Sequence, residues 1–282
     1  MKALITNADD FGFSPEVNAG VIRAHREGIL TSASLMVTGA ACDAAVAAAR
    51  NYPELDVGLH LVLCMGSSVL APGELAGVVD SSGRFTDNPV RAGLSYFFNR
   101  GLRNKLRAEC RAQIETHLKL VGSLNHIDGH LNLHAHPVIA DILIELAAEY
   151  HVPCIRLPRE PVFTTLALAR DHRTRKLVQA AIFRSLSARA RRKMAARGIR
   201  STDWLFGLHQ SGNLSADYLR GVIARLPEGT TELYFHPAAD IGGLPPAPNC
   251  QLEVELLTSA ELRSALETHG VRLTTFAELA RG

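Results

Sequence analysis

The sequence predicts an α/β fold, namely an irregular (β/α) barrel of about seven mostly parallel strands. Short apolar runs alternate with longer helical patterns along the chain, which is typical of β/α units around a parallel sheet. About seven such runs spread over 282 residues suit a barrel better than a small open sheet. An open doubly wound sheet is the alternative, because periodicity does not show whether a sheet closes.

The predicted strands are short runs rich in apolar and β-branched residues, at 3–8, 33–38, 56–63, 124–128, 153–157, 231–236 and 271–275. Helices fill the intervals. The first begins after Ser14, a suitable N-cap followed by Pro15 and the acidic Glu16, and it should end near Gly28. Further helices are predicted near residues 41–51, 101–121, 137–150, 215–226 and 259–269.

Composition bounds the class of protein. The chain is 47% hydrophobic with a net charge of +2, as expected for a folded protein with a sizeable core. No run reaches the roughly 18 to 20 apolar residues that span a membrane, and the N-terminal apolar run is too short for a signal peptide, so we expect a cytoplasmic protein.

One domain, 1–282, is predicted, with a Gly/Pro-rich loop at 241–248 and no repeat. The five cysteines are odd in number and form no Cys-x-x-Cys pair, so neither a disulfide framework nor a thiolate zinc site is expected.

Asp9 and Asp10 follow the first predicted strand, at the edge of the sheet where such barrels hold their active sites. Adjacent acidic residues in a turn are often only a solvated loop or a helix cap. Here an apolar strand leads into them, and two carboxylates at the mouth of a buried sheet need a cation or a proton to offset their repulsion. The pair therefore indicates a metal site or acid–base chemistry.

Four of the chain's 12 histidines fall within eleven consecutive residues that begin at His126. Imidazole is the commonest protein metal ligand and titrates near neutral pH, so this density favours a functional site. On a continuous strand, alternate residues would face one cavity, which here are His126, Asp128, His130 and His134. Asp128 would then orient a metal-binding imidazole. His60, inside another apolar run, is either a core histidine or a further ligand.

Other polar residues follow neighbouring strands. His236 ends the sixth predicted strand, Arg156 and Arg159 accompany the fifth, and His209 lies in a later turn. Each is weak evidence alone, but together they converge on one end of one sheet. A carboxylate with two imidazoles and open positions suits a divalent cation in a hydrolytic reaction, and Zn²⁺, Mg²⁺, Mn²⁺ or another first-row metal fits this description.

These residues resemble the YdjC-like carbohydrate deacetylase family, which includes chitooligosaccharide deacetylases and is distantly similar to the polysaccharide deacetylases. Residues 27–36 and 204–212 resemble the hopanoid-biosynthesis-associated branch, which removes the acetyl group from an N-acetylglucosaminyl hopanoid. The family often has a histidine where this chain has Asn132. Four motifs carry the resemblance in order over nearly the whole chain: Asn7-Ala8-Asp9-Asp10-Phe11-Gly12, Gly58-Leu59-His60, His126-x-Asp128-x-His130 and Phe235-His236-Pro237.

The resemblance implies an irregular β/α barrel fold, one divalent metal ion, usually Mg²⁺, and a role for each matched residue. Asp10, His60 and His130 correspond to metal ligands. Asp9 corresponds to the general base, and His236 matches a late histidine that we interpret as the general acid. We further expect the substrate to contact Arg156, His134 and His209.

The predicted reaction is hydrolysis of the amide of an N-acetylated amino sugar. The favoured substrate is an N-acetylglucosaminyl hopanoid lipid. The alternatives are a deacetylase of soluble chitooligosaccharides and a metal-stabilised sugar- or lipid-binding protein without turnover. A metal-dependent phosphatase or glycosidase would use similar residues. Adjacent carboxylates argue against glycoside cleavage, which needs two acids roughly 5 to 10 Å apart.

Basic residues concentrate in one segment that is predicted to be helical, at about 165–200. Residues 170–200 contain eleven lysines and arginines and one acid, Asp171, with interleaved apolar residues. The segment is either a solvated helix packed on the barrel or a cationic amphipathic helix that contacts the anionic inner face of a membrane. Nucleic acid is not an expected partner, because the segment has a single aromatic residue for stacking on bases. A homodimer is compatible with the sequence.

Overall fold

The computed structural model describes residues 1–240, 242 and 249–281. In this part of the chain, eight strands belong to one sheet, and all paired strands run parallel. The strands are β1 (Lys2–Phe11), β2 (Ser32–Leu35), β3 (Asp56–Leu61), β4 (His126–Gly129), β5 (Cys154–Ile155), β6 (Trp204–Phe206), β7 (Gly229–Phe235) and β8 (Val271–Leu273).

One or more helices connect each strand to the next in sequence. Two of them are 3-10 helices, Arg100–Leu102 and His130–Ala135. The α-helices are α1 (Pro15–Glu27), α2 (Cys42–Ala49), α3 (Pro89–Phe98), α4 (Arg103–Val121), α5 (Pro137–Glu149), α6 (Val162–Leu168), α7 (Arg173–Ala195), α8 (Ala216–Ala224), α9 (Cys250–Thr258), α10 (Ala260–Thr268) and α11 (Phe276–Arg281).

The sheet curls into the predicted irregular barrel. Its strand order is β5-β4-β3-β2-β1-β7-β6, with β8 paired to β1 outside this path. Backbone hydrogen bonds join the two ends of the order: the N–H of Ile155 donates to the carbonyl of Arg200 at 3.0 Å, and that of Leu205 to the carbonyl of Arg159 at 3.1 Å. The predicted fold class is therefore confirmed, and the doubly wound alternative does not apply.

β1 is the central strand and carries the first acidic motif. It pairs with β7 over residues 2–8, with β8 at its amino end and with β2 at its carboxyl end. Nearly all of its side chains are buried, including the polar Thr6, Asn7 and Asp9. Because both faces are covered, the strand reads as an almost continuous apolar run until its polar end.

The observed elements differ from the predicted ones in length and number. Every predicted strand exists, but the one predicted at 153–157 contains only Cys154–Ile155, and the three-residue β6 was not predicted. Helices α3, α6, α9 and α11 were not predicted either, although Asn88 accepts a hydrogen bond from the N–H of Arg91 as the N-cap of α3. The predicted loop at 241–248 lies outside the described residues except for residue 242.

The main apolar core lies between the sheet and its helices and draws buried residues from β1 through β8. Within the described residues, no helix has both the length and the apolarity needed to cross a bilayer. Each β/α connection leaves the carboxyl end of a strand, so all these connections emerge at one end of the barrel. The candidate site lies at this end.

Candidate metal centre and cleft

Three side chains that can bind a metal converge at the carboxyl ends of β1, β3 and β4. Asp10 lies near the end of β1, His60 lies on β3, and His130 follows β4 directly. Nε2 of His60 is 3.2 Å and Nδ1 of His130 is 2.8 Å from Oδ1 of Asp10. The three candidate ligand atoms all lie within 4.8 Å of one another. The structure thus brings together the three residues expected to be metal ligands.

The backbone at the end of β1 lets two consecutive aspartates face one cleft. In a regular strand, neighbouring side chains point to opposite sides. Here the pairing of β1 with β2 shifts register between Ala8 and Phe11, and Asp10 has a positive φ of 62°. Aspartate is one of the few residue types that tolerate this left-handed conformation. As a result, both Asp9 and Asp10 line the cleft.

Asp128 orients His60. Nδ1 of His60 lies 2.7 Å from Oδ1 of the fully buried Asp128, so the ring donates through Nδ1 and turns Nε2 towards Asp10. A carboxylate behind an imidazole in this way fixes its tautomer and raises its basicity as a ligand. Burial lowers the pKa of His60, but the charges of Asp128 and Asp9 outweigh burial and raise the pKa to about 10. The electrostatic field that favours a proton on Nε2 also favours a cation there.

The donor set fits a divalent cation. Burial raises the pKa of Asp10, but hydrogen bonds with His130 and His60 hold it well below its usual value, so this carboxylate is ionised. One anionic oxygen and two imidazole nitrogens form a ligand set that divalent first-row metals accept, with positions left for water or substrate. Both the types of the three ligand atoms and the distances between them therefore fit one divalent cation.

Arg156 lies beneath the site and holds three carboxylates. Its guanidinium donates to both carboxylate oxygens of Asp9 at 2.7 Å each, to Oε1 of Glu232 at 2.7 Å, and approaches Oδ2 of Asp128 to 2.7 Å. The guanidinium carbon also lies 4.8 Å from the ring centroid of Tyr234. Burial raises the pKa of Glu232 to about 7 despite its contact with Arg156. One buried guanidinium therefore lies among three carboxylates, and a proton on Glu232 below about pH 7 reduces the repulsion between them.

Three residues that were expected to contact the substrate lie away from the cleft. Arg156 has no exposed surface, and carboxylates occupy its guanidinium. His134 is buried with Nε2 3.2 Å from the carbonyl oxygen of Arg156, and His209 is buried with Nδ1 3.1 Å from Oε1 of Gln179. None of the three lines the cleft in the described part of the chain, because a position near the end of a strand does not show which way the side chain turns.

The histidine cluster does not share one face. β4 ends at Gly129, and the chain continues as a 3-10 helix that contains two left-handed residues. His126 points into the interior, where its ring stacks on Phe276 with 3.9 Å between centroids. Of this cluster, His130 alone lines the cleft in the described part of the chain. The expectation of strand alternation beyond residue 129 was wrong because the strand ends there.

Sequence reasoning missed several polar residues that complete the site. Oγ of Ser34, on β2, donates to Oδ2 of Asp128 at 2.7 Å, and Nδ2 of Asn7 donates to Oδ1 of Asp9 at 2.8 Å. The sequence offered a sign that Glu232 belongs to the site, because this residue is an acid next to the apolar end of a strand, β7. It offered no such sign for Ser34, since serine is common in short strands.

His236 faces the same cleft, which has a volume of about 1220 Å³. The backbone N–H of His236 donates to Oε2 of Glu253 at 2.5 Å, and burial raises the pKa of that glutamate. The apolar part of the lining consists of Phe13, Val17, Met36, Met65 and Leu131 together with smaller groups. The cleft thus combines a cation site, a histidine and an apolar surface.

A family model described as YdjC-like protein matches residues 3–268. The chain belongs to the YdjC-like family. A relative from Brevibacillus brevis, named carbohydrate deacetylase, is 32% identical over 281 residues, which cover 98% of this chain and 99% of the relative. A Mus musculus protein with the same name is 30% identical, with 98% of this chain and 94% of the relative covered.

A solved structure has the same fold as this YdjC-like protein. It comes from Enterococcus faecalis V583 and is described as a candidate cellobiose-phosphate cleavage protein. It superposes with a TM-score of 0.77 at 25% identity, over 99% of this chain and 98% of that chain. The family resemblance is therefore confirmed, and the relatives that are named as enzymes confirm the prediction of an enzyme.

Proposed function

We propose that this YdjC-like protein is a metal-dependent N-deacetylase that hydrolyses the acetamide group of an N-acetylated amino sugar. The main support is the convergence of Asp10, His60 and His130, with the carboxylate of Asp9 beside them in one cleft. Amide hydrolysis needs a base for water, stabilisation of an oxyanion and a proton for the departing amine. The cleft offers a group for each task.

Asp10, His60 and His130 would hold one divalent cation through Oδ1, Nε2 and Nδ1. When bound there, the cation would supply Lewis acidity for attack on the acetyl carbonyl. The family resemblance favours Mg²⁺, whereas two imidazole ligands also suit Zn²⁺ or another first-row metal. Asp128 supports this role because it keeps Nε2 of His60 available as a ligand.

Asp9 would accept a proton from the attacking water. Arg156 and Asn7 hold its carboxylate in one orientation. Oδ1 of Asp9 accepts from both residues, whereas Oδ2 accepts only from Arg156 and so has one lone pair left for a proton from water. Because Arg156 is fully buried, substrate does not compete for its guanidinium. Arg156 therefore acts through Asp9, as a positioning residue.

His236 would give a proton to the departing amine. It lines the cleft with Asp9, and the hydrogen bond from its own backbone to Glu253 fixes the chain at the end of β7. If His236 donates this proton, His236→Ala should lower kcat. If it only positions the substrate, His236→Ala should raise KM and keep most of kcat.

For the substrate we propose an N-acetylglucosaminyl lipid of the hopanoid type. The resemblance of residues 27–36 and 204–212 to the hopanoid-associated branch supports this choice. Phe13, Met36 and Met65 in the cleft lining also suit an aglycone that is apolar. Soluble chitooligosaccharides are the alternative substrate, and a sugar- or lipid-binding protein without turnover is the alternative function.

The deciding experiment follows acetate release by metal-loaded protein from N-acetylglucosaminyl lipid and, separately, from N,N′-diacetylchitobiose, with and without a chelator. Acetate from the lipid alone supports the hopanoid-type activity, and acetate from the disaccharide alone supports the soluble-sugar activity. Asp9→Asn is the matched control, because it changes one atom of the base and should retain the metal. Protein that holds one metal ion and releases acetate from neither compound would contradict the proposal.

A further inference from the structure

Exposed large apolar side chains concentrate around the mouth of the cleft. Phe13, Met65 and Leu131 are exposed and line the cleft itself. Others lie on α3, α6 and α7, in connections that leave the carboxyl ends of β3 and β5. Both α3 and α7 contact the 3-10 helix that carries Leu131. A contiguous apolar surface exposed to water is typical of a site that binds an apolar partner.

α3 presents an apolar stripe to water. The stripe covers about 100° of the helix surface and consists of Val90, Leu94, Phe97 and Phe98. Phe98 is 74% exposed. The opposite face is fixed to the barrel, because Tyr96 is buried and its hydroxyl donates to the carbonyl of Leu63 at 2.7 Å. The stripe is therefore held outward by the packing of the helix.

The amino-terminal half of α7 carries a second exposed apolar group, made of Leu177, Val178 and Ile182. Phe163, on the preceding helix α6, is 78% exposed. We call these four residues and the α3 stripe the apolar rim. Helix α3, which carries the stripe, lies beside the 3-10 helix whose first residue is His130, next to the cation site, and α6 packs on α7.

Unpaired positive charge accompanies both parts of the rim. Residues 88–108 contain no acid. Six exposed arginines in α3, in residues 100–103 after it, or in the amino-terminal half of α7 form no ion pair within the described residues: Arg91, Arg100, Arg103, Arg173, Arg175 and Arg184. We call these six the rim arginines.

The carboxyl-terminal half of α7 is different. Arg189 and Lys193 bind the two carboxylate oxygens of Asp141 on α5, at 2.5 and 2.7 Å, and Arg191 lies 3.6 Å from Asp203. This half is packed on the barrel, and three of its four basic side chains, all except Arg192, have acidic partners. The two interpretations of the basic segment therefore apply to different halves of it, and only the amino-terminal half resembles a lipid-binding surface.

We propose that the apolar rim and the rim arginines dock the protein on an anionic lipid bilayer, with the mouth of the cleft next to the headgroups. Exposed aromatic and aliphatic side chains insert at the interface between headgroups and acyl chains, and flanking arginines attract anionic lipids. The inference deepens the proposed function, because a lipid-linked sugar would enter the cleft from the membrane. Binding to vesicles needs no substrate, so it is tested separately from activity.

The charges favour a bilayer over a second copy of this chain. A two-fold dimer formed through the rim would use the same patch on both copies and would oppose rim arginines to one another. A bilayer of anionic lipid satisfies both the apolar and the positively charged parts at once. Dimer formation is therefore a contrary outcome of the test.

The test is flotation of the full chain with vesicles of phosphatidylcholine alone or mixed with phosphatidylglycerol, at low and high salt. We expect wild-type protein to float with the anionic vesicles, more strongly at low salt. Arg91→Gln/Arg100→Gln/Arg103→Gln should weaken partitioning by about 10²-fold, and Phe97→Ser/Phe98→Ser should weaken it at both salt concentrations. None of these residues belongs to the catalytic cleft, so acetate release from soluble disaccharide should stay at the wild-type rate.

The matched control is Arg50→Gln/Arg197→Gln/Arg225→Gln. It removes the same charge from exposed arginines in the turns that precede β3, β6 and β7, at the other end of the barrel. It should float like wild type. Three results would overturn the proposal: no flotation with anionic vesicles at low salt, an equal loss in the control, or a wild-type dimer that the phenylalanine variant converts to a monomer without any lipid binding.

Discussion

Asp9 owes its orientation to Arg156, and this dependence can be measured at the level of one side chain. Arg156→Lys keeps the positive charge but removes the planar pair of donors that holds both carboxylate oxygens. We expect kcat for deacetylation to fall by about 10²-fold, with KM and bound metal close to wild type. Arg159→Lys is the control, because Arg159 stacks on Trp204 and does not line the cleft. A normal kcat in Arg156→Lys would contradict the positioning role.

Asp9 and Asp10 are neighbours in sequence with different expected roles. Asp10→Ala removes the oxygen on which His60 and His130 converge, so the purified protein should no longer bind a stoichiometric divalent metal. Asp9→Asn should retain the metal and lose roughly 10²- to 10⁴-fold in kcat. Elemental analysis of dialysed protein, together with acetate release, distinguishes the two roles. A full complement of metal in Asp10→Ala would remove Asp10 from the ligand set.

At the scale of elements, the packing of β3 against the imidazole ring of His126, the first residue of β4, depends on Gly58. A Cβ on Gly58 would lie 2.3 to 2.5 Å from three ring atoms of His126, which Phe276 confines from the other side. Gly58→Ala should lower the free energy of unfolding by about 1–3 kcal/mol. Chemical denaturation measures this change. Gly73→Ala is the control, since its added Cβ would have no neighbour within 4 Å. Equal stabilities of the two variants would show that the ring moves aside at no cost.

Glu160 connects α6, α8 and the turn at His209. It accepts hydrogen bonds from the hydroxyl of Thr165 and from the N–H of His209 at 3.0 Å, and the hydroxyl of Tyr218 lies 3.5 Å away. Burial outweighs these donors and raises the pKa of Glu160 from 4.5 to about 7. The folded state therefore prefers the neutral acid.

The sign of the pH effect follows from this raised pKa. The contribution of Glu160 to stability is complete below about pH 4.5 and is lost as pH rises through 7, a change of about 3 kcal/mol. Glu160→Gln stays neutral, so its free energy of unfolding should fall less than that of wild type between these pH values. Denaturation at several pH values measures the slope. The exposed variant Glu54→Gln should keep the wild-type slope, and an unchanged slope in Glu160→Gln would contradict the assignment.

At the scale of the molecule, the sequence predicts what depends on local pattern. Alternating strands and helices identify the barrel, and Asp10, His60 and His130 end up together because the carboxyl ends of parallel strands share one edge. Side-chain direction is set by long-range contacts that no local pattern encodes. Arg156 turns inward because β1, β4 and β7 each bring a carboxylate to it. β6 was missed because three residues are too few to show a period.

Metal binding should connect three separate parts of the barrel. Asp10, His60 and His130 belong to or follow three different strands, and an unfolded chain does not hold them together, so occupancy stabilises only the folded state. At a free metal concentration 100-fold above Kd, the stabilisation is about 2.7 kcal/mol, or roughly 2–4 °C in Tm for each kcal/mol. Thermal unfolding of wild type with added Mg²⁺ or Zn²⁺ should therefore give a higher Tm than unfolding with a chelator.

Asp10→Ala should show the same Tm in both conditions, whereas Asp9→Asn should keep the full difference in Tm despite its loss of kcat. A metal-dependent Tm in Asp10→Ala equal to that of wild type would locate the stabilising ion elsewhere, while a shift that disappears in both variants would make Asp9 a ligand and leave the proton transfer to another group.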